Sequence, residues 1–316
     1  MGKSIDKTEF TPEDYQRFQQ RLHDNLIKLE ALINTPGFGL GPATFGAELE
    51  LYAIDKRGLP VMCNQAILKD FKDDRLTLEL NRYNLEYNLS PVPARGRPFS
   101  ALRKEMEAAL GQLDHLASKH SANIVPIGIL PTLTTDNLGL HAITDLPRYH
   151  VLANSLREKR GSDFHIRIRG EETLDMHWSD VSPEGANTSF QFHYRVNPER
   201  FRDAFNAAQL ITPLGVALAA NSPFFLGKKL WHETRVALFT QAIDCRMGDS
   251  LSRRLPPRVF FGNGWVRQGI YELFSEGVYL FSPLFPQCKE DDGLKPGKQQ
   301  SGQTKPPELY ELCLHH

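Results

Sequence analysis

The alternation of side chains in residues 45–53 constrains the fold of this chain more than any other feature of its sequence. Apolar residues occupy the odd positions, and Glu48 and Glu50 occupy even positions. Successive side chains of a β-strand point to opposite faces of a sheet. The pattern therefore predicts a strand that carries both carboxylates on one face, about 6.6 Å apart along the chain.

Two further segments show the same division into an apolar and a polar face. In residues 76–90, Glu79 and Glu86 alternate with leucines. In residues 190–197, aromatic and valine side chains occupy one face. The opposite face of that segment carries Gln191, His193 and Arg195. The sequence thus predicts three strands that each offer an apolar face and a face suited to chemistry.

The polar faces have two interpretations. A half-buried antiparallel strand commonly turns polar side chains to water, and for any one of these strands that interpretation is preferred. Taken together, however, the first two segments present Glu four times and no Lys on this face. Clustered carboxylates repel one another unless a cation is bound, and Glu oxygens with one imidazole suit Mg²⁺ or Mn²⁺ better than zinc. The combined pattern predicts a two-metal site.

Helical patterns separate the strand-like segments. Thr11 and Pro12 are typical of a helix start, and an apolar stripe continues to Ile33 before Pro36 and Gly37. Further helices are predicted at about 100–120, at about 147–160 and from residue 198. Strands are predicted at 45–55, 76–90, 123–130, 164–169 and 190–197. This order predicts a mixture of helices and strands in which strands often neighbour strands.

Composition excludes several classes of partner. Lys plus Arg number 37 against 38 for Asp plus Glu, so no basic excess favours nucleic acid. Residues 1–10 lack the apolar core of a secretory signal, and the apolar stretch 210–226 is interrupted by polar residues and prolines, which excludes a membrane span. The four cysteines are scattered and are predicted to be free thiols. The expected location is the cytoplasm, and an oligomer is compatible with the sequence.

Five motifs, taken in order, resemble the glutamate-cysteine ligase family. Between about residues 45 and 246 their spacing follows that family, which makes the resemblance more specific than any single motif. The motifs are residues 46–51 followed by Asp55, residues 79–91, residues 190–197, residues 219–224 and residues 231–235.

The resemblance implies an α+β fold of the glutamine synthetase type. In that fold a curled, mainly antiparallel sheet carries helices on its outer face, and its concave face holds the metals and the nucleotide. Residue by residue, the resemblance implies that the Mg²⁺ (or Mn²⁺) ligands are Glu48, Glu50, Glu79, Glu86 and His193. The family often has H-x-H at the last position, where this chain has Gln191 before His193.

The resemblance also implies basic and polar residues that bind ATP. Arg235 is expected to face the phosphates or an acyl phosphate and to act in catalysis, and Arg195 and Asn221 are further candidates for nucleotide binding. The alternative for Arg235 is a surface ion pair with Glu233 or Asp244.

The activity that the resemblance implies is ATP-dependent formation of an amide between the side-chain carboxylate of glutamate and an amine, with cysteine as the favoured acceptor. The expected partners are therefore these small molecules. Three alternatives remain open at this stage: a ligase of the same fold with another amine acceptor, a two-metal phosphohydrolase, and a non-catalytic nucleotide-binding relative.

The chain is expected to divide into three parts. Residues 1–286 are predicted to form the ligase-like catalytic domain, residues 287–307 a polar loop or linker, and residues 308–316 the start of a further element. The resembled family continues with a strand that bears a further metal-binding Glu, and no equivalent follows Arg246. The expectation is that the catalytic domain lacks its C-terminal part.

Overall fold

A computed structural model describes residues 5–246, 254–289 and 308–315 of the chain. Most of the segment 287–307, predicted from composition to be a linker, lies outside the described residues. The helices within the described ranges are α1 (Pro12–Ile33), α2 (Asn64–Asp70), α3 (Pro98–Ser118), α4 (Pro147–Arg160), α5 (Phe201–Ala219), α6 (Thr234–Ala242), α7 (Ile270–Leu280) and α8 (Tyr310–His315). The strands are β1 (Thr44–Ile54), β2 (Leu76–Leu78), β3 (Asn84–Pro93), β4 (Asn123–Val125), β5 (Phe164–Arg169), β6 (Thr173–Trp178), β7 (Phe190–Arg195), β8 (Phe224–Phe225) and β9 (Lys228–Lys229).

The principal sheet has five strands and is antiparallel throughout. Its strand order is β2-β3-β1-β4, and β7 also pairs with β1, beside the first half of that strand. The predicted α+β class with a mainly antiparallel sheet is confirmed. Because β1 lies in the middle, it holds the strands that carry the predicted site.

The apolar face of the sheet packs against helices. Leu49 and Leu51 of β1 lie in one core cluster with Leu85 of β3 and with Leu102 and Leu113 of α3. Burying this face removes leucine side chains from water, which stabilises the fold by about 25 cal/mol for each Å² of apolar surface buried. The alternation read in the sequence thus decides which face carries the helices, and it leaves the carboxylate face for the site.

A second core cluster lies apart from the one that α3 forms with the sheet. The hairpin β5-β6 and helix α6 form a core cluster with Tyr52 and Tyr83, whose rings stack 5.6 Å apart between centroids. Helix α1 begins with a capping box, in which Thr11 and Asp14 each accept a hydrogen bond from the other's backbone N–H. It packs against α7 and α8, where Asn25 Nδ2 donates to Glu311 Oε2 at 2.9 Å.

Three predicted strands are shorter in the structure, and one of them, predicted as 190–197, ends at Arg195 as β7. The segment predicted as 76–90 is interrupted at residues 79–83, because a turn there lets β2 and β3 pair antiparallel with each other. The segment predicted as 123–130 ends at Val125, because Pro126 lacks the N–H that a ladder needs. Strand β6, absent from the sequence prediction, completes a hairpin with the correctly predicted β5.

Among the described residues, no helix has both the length and the apolar character that a membrane crossing requires. Residues 310–315 form the short helix α8, whose Leu312 and Leu314 are buried in the same core cluster as residues of α1.

Candidate active site

Strand register brings the carboxylates of β1 and β3 to one face of the sheet. Glu50 is paired directly with Glu86, and Glu48 is paired with Asn88 on β3 and with Gln191 on β7. Directly paired residues of antiparallel strands share a face, with Cβ atoms about 5 Å apart. The predicted common face for these acidic residues is therefore present in the structure.

Glu79 reaches the same region from the turn between β2 and β3. The turn is held by Thr144, whose hydroxyl donates to the Glu79 carbonyl at 2.6 Å and whose N–H donates to the Leu80 carbonyl at 2.7 Å. Asn64 Nδ2 also donates to the Asn81 carbonyl at 3.2 Å. Glu79 is thus positioned by a cross-linked turn and not by the strand pleat that the sequence pattern indicated.

These side chains line a cavity of about 1980 Å³. Drug-sized ligand pockets commonly measure 300–1,000 Å³, so this cavity has room for more than one small molecule. Its lining includes the acidic residues Glu48, Glu50, Glu79, Glu86 and Glu184, together with Arg235. The cavity therefore has an acidic wall and a guanidinium on its boundary.

Burial and mutual repulsion disturb the ionisation of the acidic wall. Burial raises the pKa of Glu50, three hydrogen bonds from Ser189 and Gln191 offset this in part, and the Glu86 charge raises the pKa further. Burial likewise holds the pKa of Glu79 well above its ordinary range, with added contributions from contact with Glu86 and from the charges of Glu50 and Glu184. Acidic groups with raised pKa values in one cavity are typical of functional sites.

One structural observation supports a fit between these acidic residues and a hard divalent cation. Glu86 is 6% exposed, and its Oε1 atom has no hydrogen-bond partner among the described residues. A buried carboxylate oxygen without a donor is costly, and a cation would compensate it. In the parts of the chain that the structure describes, no three acidic, imidazole or thiol groups already stand together as a metal cluster. The ligand set therefore stays a prediction.

His193 lies at the edge of the acidic wall, toward a smaller cavity. Its Nε2 atom is 3.5 Å from Glu48 Oε1, and both residues line a cavity of about 240 Å³. Glu48 lines the large cavity as well, so it connects the two spaces. Gln191, at the position of the first His of the family pattern, donates instead to Glu50 Oε1 at 3.2 Å.

Arg235 is the predicted basic residue that reaches the large cavity. Its Nη1 atom donates to the Thr188 carbonyl at 2.6 Å, and its Nε atom donates to Glu233. A Cβ atom on Gly128 would come within 2.9 Å of Arg235 Nε, so the guanidinium is packed against the backbone there. The ion pair with Glu233, the alternative raised from the sequence, is present, and it holds the guanidinium at the cavity wall.

The other two predicted nucleotide-binding residues do not line the large cavity, although Arg195 lines the smaller cavity with Glu48 and His193. Arg195 Nη1 donates to the Pro42 carbonyl at 2.9 Å, and its Nη2 donates to the carbonyls of Gly39 and Leu40. These hydrogen bonds hold the loop before β1 in place. The N–H of Asn221 donates to Glu233 Oε2 at 2.9 Å, which ties residue 221 to the partner of Arg235.

Glu184 was missed in the sequence interpretation. It begins a short 3₁₀ helix, Glu184–Ala186, and lines the large cavity with the predicted acids. Burial and the Glu50 charge raise its pKa to about 8. No periodicity marks a single Glu in a Pro-Glu-Gly turn, so only the tertiary fold brings this residue to the site.

Comparison with known proteins identifies one matching family. A family model described as glutamate-cysteine ligase family 2 matches residues 44–262, which include β1, β3, β7, α6 and every acidic residue of the wall. No curated protein sequence matches the chain.

Proposed function

This chain belongs to glutamate-cysteine ligase family 2 and is a ligase-type protein, and from that premise we propose that it joins the side-chain carboxylate of glutamate to an amine at the expense of ATP. The favoured amine is cysteine. The observation that supports the proposal most is that the acidic wall and Arg235 line one cavity. All of these residues lie inside the region that matches the family.

Condensing a carboxylate with an amine in water is uphill, so the reaction must be coupled to ATP. A carboxylate oxygen of glutamate attacks the γ-phosphorus, the bond to the bridging oxygen breaks, and ADP leaves. The amine nitrogen then attacks the carbonyl carbon of the acyl phosphate, phosphate leaves with the former carboxylate oxygen, and the nitrogen loses a proton. Neither step requires a covalent bond to the protein.

The acidic wall is suited to hold the metal that accompanies ATP. Glu50, Glu79 and Glu86 supply the carboxylate oxygens that Mg²⁺ or Mn²⁺ prefers, and Glu48 with His193 adds a second group beside them. A bound Mg²⁺ would supply charge neutralisation on the phosphates and alignment of the transferred group.

Arg235 is suited to stabilise the phosphoryl group in transfer. Its contacts with Glu233 and Thr188 fix the guanidinium before a ligand arrives, so little rotational freedom is lost on binding. Hydrogen bonds from Ser189 and Gln191 hold the Glu50 carboxylate in place, so its orientation is fixed before a ligand binds. Preorganised groups of this kind favour the transition state over the ground state.

The deciding experiment measures ADP release and amide formation together. The purified chain is given Mg²⁺, ATP, glutamate and a panel of amines, and we expect one ADP for each amide, with cysteine giving the highest rate. Glutamate omission is the matched control and should abolish the rate. Phosphate release without an amine would instead identify a hydrolase, and nucleotide binding with no turnover for any amine would identify a binding protein.

A further inference from the structure

Strand β7 forms an open edge of the principal sheet. One side of β7 pairs with β1, and within the described ranges no strand pairs with its other side. All six residues of β7 are exposed. An exposed edge strand is a template for pairing with another chain, because its outward N–H and C=O groups lack partners. Strand β7 is therefore a candidate surface for association with a second polypeptide.

The hydrogen-bond pattern identifies the backbone groups that point outward. The Glu50 N–H donates to the Ser189 carbonyl at 2.9 Å, so these two residues, which continue the β1–β7 register, form a hydrogen-bonded pair. Hydrogen-bonded pairs alternate with non-bonded pairs along an antiparallel ladder. Phe190, Phe192 and Tyr194 therefore turn their N–H and C=O groups away from β1. In the described part of the chain, no backbone group outside the sheet bonds to these three residues.

The same three residues place aromatic side chains along the open edge, and each is about half exposed. They lie on the face of the sheet that carries α3. The Phe45 ring lies 5.0 Å from the Phe192 ring and 5.2 Å from the Tyr194 ring between centroids, and the exposed Phe99 ring stacks on Phe45 at 5.5 Å. Contiguous exposed apolar side chains mark interaction surfaces. The edge thus combines open backbone groups with an aromatic patch.

Strand β7 lacks the features that normally prevent edge pairing. Protected edges carry proline, lysine or a bulge. The sequence of β7 contains neither proline nor lysine, and its register with β1 has no shift. Arg195 lies at the end of the strand, and its guanidinium donates to the carbonyls of Gly39, Leu40 and Pro42. Its charge is therefore held at the loop before β1, and the edge stays accessible to pairing.

The strand is complementary to a second copy of itself. When two β7 strands pair antiparallel about a two-fold axis at Phe192, Phe192 lies opposite Phe192 of the second copy, and Phe190 lies opposite Tyr194. All three outward residues then form hydrogen-bonded pairs, and each pair exchanges both of its bonds. Gln191 lies opposite His193, so no like charges are opposed. A register centred on His193 would instead set two imidazoles opposite each other and pair Phe190 beyond the end of the strand.

We propose that two copies of this chain associate through β7, in the antiparallel register centred on Phe192, so that their principal sheets join into one continuous sheet. Such an interface is isologous, because each copy contributes the same surface. Aromatic side chains of the two copies then cover one another on one face of the joined sheet, which adds apolar burial and cross-strand contacts to the backbone hydrogen bonds. On the opposite face, association places His193 of the second copy beside Gln191, which donates to Glu50. The association does not depend on the proposed ligase activity.

Sedimentation velocity of the full chain, up to about 100 µM, tests the association in a range that covers weak interfaces of standard size. We expect a species of twice the mass of one chain. Phe192→Lys sets two ammonium groups opposite each other at the axis, and Phe192→Glu sets two carboxylates there, so each variant alone should dimerise at least tenfold more weakly. An equimolar mixture of the two variants should regain the dimer, because each Phe192→Lys chain then faces a Phe192→Glu chain. Recovery on mixing excludes misfolding as the cause of the loss.

Leu218→Lys is the matched control. Leu218 is another exposed apolar residue, 90% exposed on α5, and its replacement should leave the dimer as in the wild type. A wild type that stays monomeric over the whole range, or a dimer that persists undiminished in Phe192→Lys, would overturn the proposal. Loss of the dimer in Leu218→Lys alone would place the interface on α5. Failure of the mixture to dimerise would contradict the register, because residue 192 would then not lie opposite its own copy.

Discussion

Glu50 of β1 and Glu86 of β3 are paired directly across the sheet, two carboxylates on one face at the centre of an antiparallel ladder. Like charges placed opposite one another destabilise a strand pair. Ser189 and Gln191 compensate Glu50, whereas Glu86 Oε1 is left without a donor in the described part of the chain. Under the proposed function, a bound cation would neutralise both carboxylates and offset their repulsion.

Replacing Glu50 by Gln tests this explanation. The variant removes one of the two opposed charges, so we expect thermal stability without metal to stay the same or rise by a few degrees. We also expect Mg²⁺-ATP affinity to fall by roughly tenfold or more, and turnover to be lost, because a proposed metal ligand is removed. Calorimetric titration with Mg²⁺-ATP measures the affinity, and Glu107→Gln on α3 is the control, because that side chain is 64% exposed. Equal affinity in both variants would contradict the assignment of Glu50.

Replacing Arg235 by Lys tests the role of the guanidinium. Lys keeps the positive charge but cannot contact Glu233 and Thr188 as a planar fork. We expect nucleotide affinity to fall by roughly tenfold, which corresponds to about 1.4 kcal/mol and to one charged hydrogen bond. Arg167→Lys on the exposed face of β5 is the matched control and should bind nucleotide normally. If both variants bind alike, Arg235 serves only its structural ion pair.

A pair of glycine substitutions separates close packing from helix propensity. Gly128→Ala would place a Cβ atom 2.7 Å from the Asn221 carbonyl oxygen and 2.9 Å from Arg235 Nε. We expect it to lower the free energy of unfolding by about 1–3 kcal/mol and to weaken nucleotide binding by displacing Arg235. Gly111→Ala, inside α3 with no atom within 4 Å of the new Cβ, should raise the free energy of unfolding by about 0.5–1 kcal/mol. Denaturant unfolding measures both free energies. An unchanged free energy of unfolding in Gly128→Ala would show that Asn221 and Arg235 can move to make room for the new Cβ atom.

The acidic wall also predicts how stability depends on pH in the absence of metal. Burial and like charges raise the pKa of Glu50, Glu79 and Glu184, the last from 4.5 to about 8. Between pH 4.5 and about pH 8 these groups hold protons in the folded chain that they have lost in the unfolded chain. The free energy of unfolding therefore falls as the pH rises. Thermal scans from about pH 5 to pH 8 should show this fall, and Glu184→Gln or saturating Mg²⁺ should make it smaller. A stability that rises steadily across the window in metal-free buffer is the contrary result.

Much of the sheet could be predicted from local sequence because its side chains alternate. The period of two in residues 45–53 indicated β1 within one residue at each end, and the common face of Glu48, Glu50 and Glu86 follows from that period once β1 and β3 are paired. Helices α1 and α4 were predicted with correct starts because Pro12 and Pro147 occupy the first helical position. Local steric rules and burial of one face decide these features.

The remaining site depends on contacts between residues far apart in sequence. Glu79 was predicted on a strand but lies in a turn that Thr144 and Asn64 hold in place, and Arg195 is directed to the loop before β1 rather than to the large cavity. Glu184 carries no local signal at all. By itself the sequence determined strands β1, β5 and β7 and the acidic character of one face of the sheet. Only the tertiary structure decided which acids share the cavity, because packing of Gly185 on Asn81 and the bond from Tyr52 to Ala186 bring a distant turn to the sheet.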